Sequence, residues 1–267
     1  AEEVSGEGPF SIILDKTTFY AEAGGQIGDI GEIVGPSSSF KVSGTTSISR
    51  AYLHEGTISE GFMRVGDDVS VKVNPEIREA IRINHSATHL LHAALRKVLG
   101  EHVKQRGSRV GAETLRFDFS HFNPVSEDEL TQIEDLVNDE IRKNSKVITE
   151  VMNIDQAMKL GAMALFDEKY SEEVRVLSMG NGFSIELCGG THATATGEIR
   201  IFQIMSEQGT ASGVRRIEAT TSSNALAHLI EQRRLVSEGK ALLNTSEAEF
   251  LEKISLLIQH KDELEKS

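Results

Sequence analysis

Cysteine, tryptophan and proline are scarce in this sequence: its 267 residues include one cysteine, no tryptophan and four prolines. A single cysteine cannot form an intramolecular disulfide, which excludes a small disulfide-stabilised scaffold and favours a reducing compartment. No apolar run approaches the ~18 residues of a membrane-spanning helix, and the acidic first residues lack the apolar core of a secretory signal. We therefore expect a cytoplasmic protein with no membrane partner.

The sequence is also short of positive charge. It has 28 lysines and arginines against 41 aspartates and glutamates, and the formal net charge of −13 argues against a general nucleic-acid binder. Residues 75–121 are the exception, because eight basic residues against five acidic ones give this segment a charge of +3. The chain begins without methionine and ends within a charged helical pattern, so we expect a portion of a longer protein.

The residue pattern changes twice along the chain. Residues 1–74 contain short β-type stretches separated by glycines, which are typical of a small β-barrel or sandwich. From residue 75 to residue 221, helical spacings alternate with strand-like stretches, which predicts an α+β domain. Residues 222–267 are rich in Leu, Glu, Lys and Ala, which indicates C-terminal amphipathic helices. We therefore expect three domains with these boundaries.

Two short segments contain the residues with the clearest chemistry. His85 and His89 are four apart on the helix predicted after Pro75, so both imidazoles lie on one helix face. Cys188 and His192 flank a Gly-Gly-Thr turn after a predicted strand. Either pair alone is more often ordinary packing, but together they supply three nitrogens and one sulfur, a set that suits zinc. His92 lies about 10 Å further along the helix, where it would pack or support a ligand.

These segments, in this order, resemble the editing domain of alanyl-tRNA synthetases and of the freestanding AlaX superfamily. The glycine-rich segment Phe19–Asp29 is similar to the signature of the small β-barrel that precedes that domain. The resemblance extends over roughly residues 10–221. The matching segments are Phe19–Asp29, Asn84–His92, Arg116–Phe119, Cys188–His192 and Gly213–Ile217.

The resemblance implies a small glycine-rich β-barrel, then a two-layer α/β editing domain with one Zn²⁺ bound by His85, His89, Cys188 and His192, then helices. The family's editing domain hydrolyses the ester of mischarged Ser-tRNA(Ala) and Gly-tRNA(Ala). The full-length synthetase attaches alanine to tRNA(Ala) with ATP, in an aminoacylation domain that this chain would lack. The implied partners are the tRNA(Ala) acceptor end and the missing domains, with a homodimer through C-terminal regions left open.

Serine is alanine with an added hydroxyl, and an aminoacylation pocket rejects such an added group poorly. A second site that selects serine must therefore offer this hydroxyl a hydrogen-bond partner. Gln105 matches a glutamine that the family uses in editing, and for the two threonines a local hydrogen bond to the backbone is an equal alternative. The candidate substrate-binding residues are Gln105, Thr88, Thr191, Gly189 and Gly190.

Two further groups are expected at the edge of the pocket. The first shapes its rim or the tRNA path, although a tight glycine turn explains the same residues: Phe19, Gly24, Gly25, Gln26 and Asp29. The second follows the histidine-bearing helix and would contact phosphates, although a solvated charged surface is an equal alternative: Lys104, Arg106 and Arg109.

Three alternatives to a synthetase editing domain stay open on the sequence. They are a freestanding trans-editing deacylase, the related editing domain of threonyl-tRNA synthetase, and a non-catalytic zinc module that positions tRNA. The role of the ion is also open. Zinc could activate a water or the ester carbonyl at an open position, or four protein ligands could make it an organiser of the pocket.

Overall fold

A computed structural model of the protein describes residues 2–6, 8–49, 51–163 and 172–266. The chain divides into two units, Ala1–Ser222 and Ser223–Ser267. The predicted start of the C-terminal helical segment at residue 222 lies next to this division. The predicted boundary between residues 74 and 75 falls inside the first unit and stays a prediction.

The N-terminal part of the first unit is an antiparallel β-structure. Five strands form one sheet in the order β2-β5-β4-β3-β7, and β1 pairs separately with β6. The sheet covers a small apolar core that contains Phe19, Ile33 and Phe40. The strands are β1 (Glu3–Ser5), β2 (Phe10–Ile13), β3 (Gly31–Gly35), β4 (Ser38–Ile48), β5 (Ala51–Glu60), β6 (Phe62–Arg64) and β7 (Ser70–Val73).

The predicted glycine-rich β-barrel is wrong in one respect, because this sheet is not a closed barrel. Closure requires the two edge strands to exchange backbone hydrogen bonds. Within the described residues, β2 pairs only with β5 and β7 pairs only with β3, and each of these edge strands is four residues long. The glycine-rich segment Phe19–Asp29 makes backbone hydrogen bonds both to this sheet, from the Glu22 amide to the Thr45 carbonyl (2.9 Å), and outside it.

The helix predicted after Asn74 is confirmed as α1 (Pro75–Leu99). The Asn74 side chain accepts a hydrogen bond from the Ile77 amide (3.0 Å), Pro75 occupies the first turn, and Gly100 ends the helix with a positive φ of 112°. Fourteen of its residues are buried, including a continuous run from Ile83 to Leu95. A helix that is buried over this length lies inside the domain, not at its surface.

Two antiparallel sheets and two further helices complete the first unit. One sheet has the order β13-β14-β9-β8 and shares an apolar core with α1 and α2, and the other has the order β10-β11-β12. The predicted mixed α/β composition is therefore confirmed. The strands are β8 (Gln105–Val110), β9 (Leu115–Ser120), β10 (Ile148–Asn153), β11 (Glu173–Met179), β12 (Ser184–Leu187), β13 (Phe202–Ala211) and β14 (Val214–Thr221). The helices are α2 (Glu127–Arg142) and α3 (Ile154–Lys159), with a 3₁₀ turn at Thr196–Ile199.

The glycine-rich segment bends back on itself and pairs with β8. Gly24 and Gly25 have positive φ values of 59° and 87°. The Val110 amide donates to the Gly25 carbonyl (2.7 Å), and the Ile27 amide donates to the Val110 carbonyl (3.1 Å). A Cβ on Gly25 would lie 2.6 Å from the Ser108 carbonyl oxygen, so only glycine permits this approach. These contacts connect the N-terminal sheet to the sheet that packs on α1.

The second unit consists of the expected C-terminal helices. They are α4 (Ser222–Leu243) and α5 (Phe250–Leu264). Their apolar side chains are largely exposed, among them Leu242 and Leu251 at 87% and 74%. No helix among the described residues is both long enough and apolar enough to cross a membrane.

A buried ion pair attaches the glycine-rich segment to α1, and its loss should destabilise the fold. The Asp29 carboxylate is 1% exposed, accepts from Arg78 Nε (2.7 Å) and caps the Tyr20 amide (2.5 Å). We expect Asp29→Ala to lower the free energy of unfolding by about 3 kcal/mol, because it leaves both donors without their acceptor. Asp139→Ala, which breaks an exposed pair with Arg142, should cost less than about 1 kcal/mol. Urea denaturation measures both values, and equal losses would contradict the structural role of Asp29.

Candidate metal centre

The structure brings the four predicted metal ligands together. The His192 ring centroid lies 4.3 Å from that of His85 and 5.1 Å from that of His89. Cys188 Sγ lies 3.2 Å from His192 Nε2 and 3.6 Å from His85 Nε2. One ligand atom from each residue falls within 4.8 Å of all the others. The four residues could therefore hold one metal ion.

The loop that carries Cys188 and His192 is fixed from two sides. Arg175 Nη1 donates to the carbonyls of Cys188 (2.8 Å) and Gly190 (2.7 Å). The Gly190 amide points at Cys188 Sγ (3.4 Å). A Cβ on Gly190 would lie 2.2 Å from His85 Cε1, so the loop reaches α1 only because this residue has no side chain.

A buried carboxylate supports the histidine face of α1. Glu186 is 1% exposed and accepts from Nδ1 of His89 (2.5 Å) and of His92 (3.0 Å), one oxygen for each ring. His92 is thus a supporting residue, as its spacing indicated. Among the residues that the structure describes, Nε2 of His89 is buried and has no hydrogen-bond partner. A carboxylate on Nδ1 and an unpartnered Nε2 that belongs to the ligand group are the arrangement of a metal-ligating histidine.

The electrostatics of the group also suit a cation. Burial opposes ionisation of Cys188, but the charges of His85 and His89 and the hydrogen bonds from His192 and His85 hold the pKa of the thiol well below its usual value. Burial also lowers the pKa of His89, yet the charges of Glu186 and Cys188 outweigh it and raise that pKa to about 10. Burial and the charge of His85 lower the pKa of His192 to about 3. The group therefore offers a thiolate and a neutral imidazole at neutral pH.

The ligand group forms part of the wall of a cavity of about 660 Å³. Of the four ligands, His85, His89 and Cys188 line it, whereas His192 lies behind the wall. The predicted residues that also line it are Thr88, Gln105, Gly189, Gly190, Thr191, Phe19 and Gly24. Gly25, Gln26 and Asp29, which were predicted at the rim or tRNA path, do not line the cavity but support the segments around it.

The polar candidates differ in the hydrogen bonds they already make. Thr88 Oγ1 donates to the Asn84 carbonyl one helical turn back (2.8 Å), so towards the cavity this hydroxyl can only accept. Thr191 Oγ1 accepts from Gln26 Nε2 (2.9 Å). Gln105 Nε2 donates to Ser108 Oγ (3.1 Å), beside the cavity.

The three predicted phosphate-binding cations are all exposed. Lys104 immediately precedes β8, and Arg106 and Arg109 lie in it. Within the described part of the chain, none of their side chains forms an ion pair. The same strand contributes Gln105 and Ser108 to the cavity wall, so these cations lie on an element that reaches the site.

The sequence analysis missed several residues of the site. Glu186 could have been found, because Ser184 and Glu186 alternate with apolar residues and share a strand face that leads to Cys188. Arg175, Tyr20 and Tyr52 also line the cavity, but no spacing relates them to the ligands. They come from three separate strands or loops, and only the fold brings them together.

Comparison with known proteins agrees with this arrangement. A family model described as threonyl and alanyl tRNA synthetase second additional domain matches residues 174–218, which include Cys188 and His192. A second model, described as tRNA synthetases class II (A), matches residues 1–77. Alanine–tRNA ligases of Pseudomonas syringae pv. tomato, Pseudomonas fluorescens and Pseudomonas entomophila are 52%, 51% and 49% identical to the chain over 255 residues, or 96% of its length.

The resemblance to alanyl-tRNA synthetase is thereby confirmed. The chain spans 29% of the length of these relatives and so matches only a portion of each. This portion includes the match to the second additional domain, and two of the four candidate ligands lie within that match.

The state of the ligands predicts how metal binding depends on pH. Near pH 8, Cys188 and His192 are already deprotonated, whereas His89, with a pKa of about 10, carries a proton that an ion must displace. We expect release of about one proton per ion, and an apparent affinity for Zn²⁺ that rises about tenfold per pH unit from pH 7 to pH 9. Calorimetry in buffers of different ionisation enthalpy counts the protons. Release of two or more would contradict this protonation state of the ligand group.

Proposed function

We propose that this chain is the editing part of an alanyl-tRNA synthetase and hydrolyses the ester bond of Ser-tRNA(Ala) and Gly-tRNA(Ala). The observation that supports this most directly is the His₃Cys group in the wall of a 660 Å³ cavity. A hydrolytic site needs both a reactive centre and space for the ester beside it, and here three of the four ligands face the same space. The synthetase relationship supplies the substrate class.

We propose zinc as the ion, because three imidazole nitrogens and one thiolate form a donor set typical of tetrahedral zinc. When bound, zinc would supply Lewis-acid chemistry, by polarising the ester carbonyl or by lowering the pKa of a water. The protein's own residues hold the centre in place. Glu186 fixes the ring of His89, and Arg175 fixes the loop that presents Cys188.

The cavity is far larger than a seryl group, so the terminal nucleoside of the tRNA fits beside the amino acid. Tyr20 and Tyr52 supply aromatic surface in its wall, and Tyr20 is fixed by a hydrogen bond from its hydroxyl to the Ala23 carbonyl (3.1 Å). Thr88 and Thr191, each with a hydroxyl group, line the same cavity. A seryl group can form hydrogen bonds with these hydroxyls, whereas an alanyl methyl group leaves them unsatisfied.

The remaining functions belong to the longer protein. We propose that aminoacylation with ATP takes place in a domain outside this chain and that the acceptor end of tRNA(Ala) moves between the two sites. A cytoplasmic location and a homodimer through C-terminal regions also stay proposals.

The test is a paired deacylation assay on the zinc-loaded chain with Ser-tRNA(Ala), Gly-tRNA(Ala) and Ala-tRNA(Ala). We expect hydrolysis of the first two well above buffer, slower hydrolysis of the third, and loss of activity in Cys188→Ala. A folded Cys188→Ala protein, judged by circular dichroism, separates loss of the centre from loss of the fold. Absence of seryl and glycyl deacylation by the zinc-loaded chain would refute the proposal.

The exposed cations near β8 should contribute binding, not chemistry. We expect the triple variant Lys104→Ala, Arg106→Ala, Arg109→Ala to raise KM for Ser-tRNA(Ala) about tenfold or more at unchanged kcat. Each phosphate contact releases counterions from the tRNA when the complex forms. Loss of three contacts should therefore reduce the steepness of the plot of log affinity against log salt concentration by about 2. Lys146→Ala, at an exposed lysine before β10, is the matched control and should change neither value. An unchanged salt slope in the triple variant would contradict the phosphate role.

A further inference from the structure

Gln26 contacts both the candidate metal centre and the cavity wall, although it is not one of the candidate ligands and does not line the cavity. It is completely buried. Its Oε1 lies 2.8 Å from the Thr191 amide nitrogen and 2.8 Å from His85 Nδ1. Its Nε2 lies 2.9 Å from Thr191 Oγ1. One amide group therefore contacts both a candidate ligand and a candidate substrate-binding residue.

The backbone amide of Thr191 determines the orientation of the Gln26 side chain. A backbone N–H can only donate, so the Gln26 atom that faces it must be the carbonyl oxygen. The same oxygen then accepts from His85, whose Nδ1 must carry the proton. The neutral form of His85 is thereby held in the tautomer whose Nε2 has a lone pair, and this Nε2 is the atom that lies 3.6 Å from Cys188 Sγ.

The other end of the same amide determines what Thr191 offers to a ligand. Gln26 Nε2 donates to Thr191 Oγ1, so the hydroxyl proton of Thr191 must point elsewhere. This hydroxyl makes no second hydrogen bond within the ranges the structure describes, and Thr191 lines the cavity. The wall therefore presents a hydroxyl donor at Thr191, in contrast to Thr88, which can only accept.

We propose that Gln26 is a positioning residue that couples the metal centre to substrate selection. It holds His85 ready to bind the ion, and it directs the Thr191 hydroxyl proton towards the side-chain hydroxyl of a seryl group. The second part rests on the proposed deacylase function. The glycine-rich segment thus has a specific task, which is to deliver Gln26 to the centre from a part of the chain 59 residues before His85.

Two substitutions of similar size separate these roles. Gln26→Met removes every hydrogen bond of the side chain. Gln26→Glu keeps an acceptor for His85 and for the Thr191 amide, but its second oxygen can no longer donate. The Thr191 hydroxyl would then donate to the carboxylate and would offer only lone pairs to the cavity.

The first experiment measures metal binding, without turnover, by titration with Co²⁺ against a chelator and by the visible absorption bands of the bound ion. We expect Gln26→Met to bind Co²⁺ about 10- to 100-fold more weakly with altered bands, and Gln26→Glu to bind at least as tightly as the unmodified chain. Gln208→Met, at an exposed glutamine of β13, is the control and should match the unmodified chain. Unchanged Co²⁺ affinity and absorption bands in Gln26→Met would overturn the role of Gln26 in positioning His85. If Gln26→Met fails to fold, weakened Co²⁺ binding by Gln26→Glu would overturn the same role.

The second experiment measures selection with stable amide analogues, seryl- and glycylaminoadenosine, by calorimetry on the zinc-loaded protein. We expect Thr191→Val and Gln26→Glu each to reduce the preference for the seryl analogue about tenfold, and Thr191→Ser to restore it. In the double variant that combines Thr191→Val with Gln26→Glu, the preference for the seryl analogue should fall no further than in Thr191→Val alone. The reason is that Gln26 acts on selection through the Thr191 hydroxyl. Additive losses, or an unchanged preference in Gln26→Glu, would overturn the coupling.

The outcomes also distinguish this inference from the proposed function. If the zinc-loaded chain hydrolyses none of the esters, the proposed function fails, while the Co²⁺ titration still decides whether Gln26 positions His85. If it hydrolyses Ser-tRNA(Ala) but Gln26→Glu keeps its selectivity, only the coupling fails.

Discussion

Three imidazole rings and a thiol lie close together inside this protein, and the surrounding structure compensates the free-energy cost of burying them. Polar groups buried without partners are strongly unfavourable, so each ring needs a fixed hydrogen bond on the nitrogen that does not face the centre. Gln26 provides it for His85 and Glu186 provides it for His89. These partners come from the glycine-rich segment and from β12, so the centre requires the first unit to be assembled around α1.

The glycine-rich segment, which follows β2 and precedes β3 of the N-terminal sheet, is therefore part of the site's construction. Gly25 allows the glycine-rich segment to approach β8 closely, and Asp29 attaches the same segment to α1 through Arg78. Both contacts fix the position of Gln26. The segment donates from the Glu22 amide to the Thr45 carbonyl of β4 and also exchanges hydrogen bonds with Val110 of β8, so it joins two different sheets.

The features that local spacing determines were predictable from sequence. The i,i+4 histidines, the Asn74 cap and the Cys-Gly-Gly-Thr-His loop predicted the helix and the four candidate ligands. The features that depend on distant pairing were not. The contact between Gln26 and Thr191 joins residues 165 positions apart. Whether the edge strands β2 and β7 pair with each other depends on strand register, which the alternation of apolar and polar residues does not encode.

The eight cations of residues 75–121 show how an acidic chain can still present a basic surface. Five of them have partners inside the domain: Arg78, Arg82 and Arg116 face carboxylates, Arg96 donates to carbonyls, and Lys97 lies over the Phe183 ring. Lys104, Arg106 and Arg109 have no such partner within the described residues. These three cations lie on or immediately before β8, the strand that also lines the cavity. An anionic chain end would meet uncompensated positive charge at this strand despite the net charge of −13.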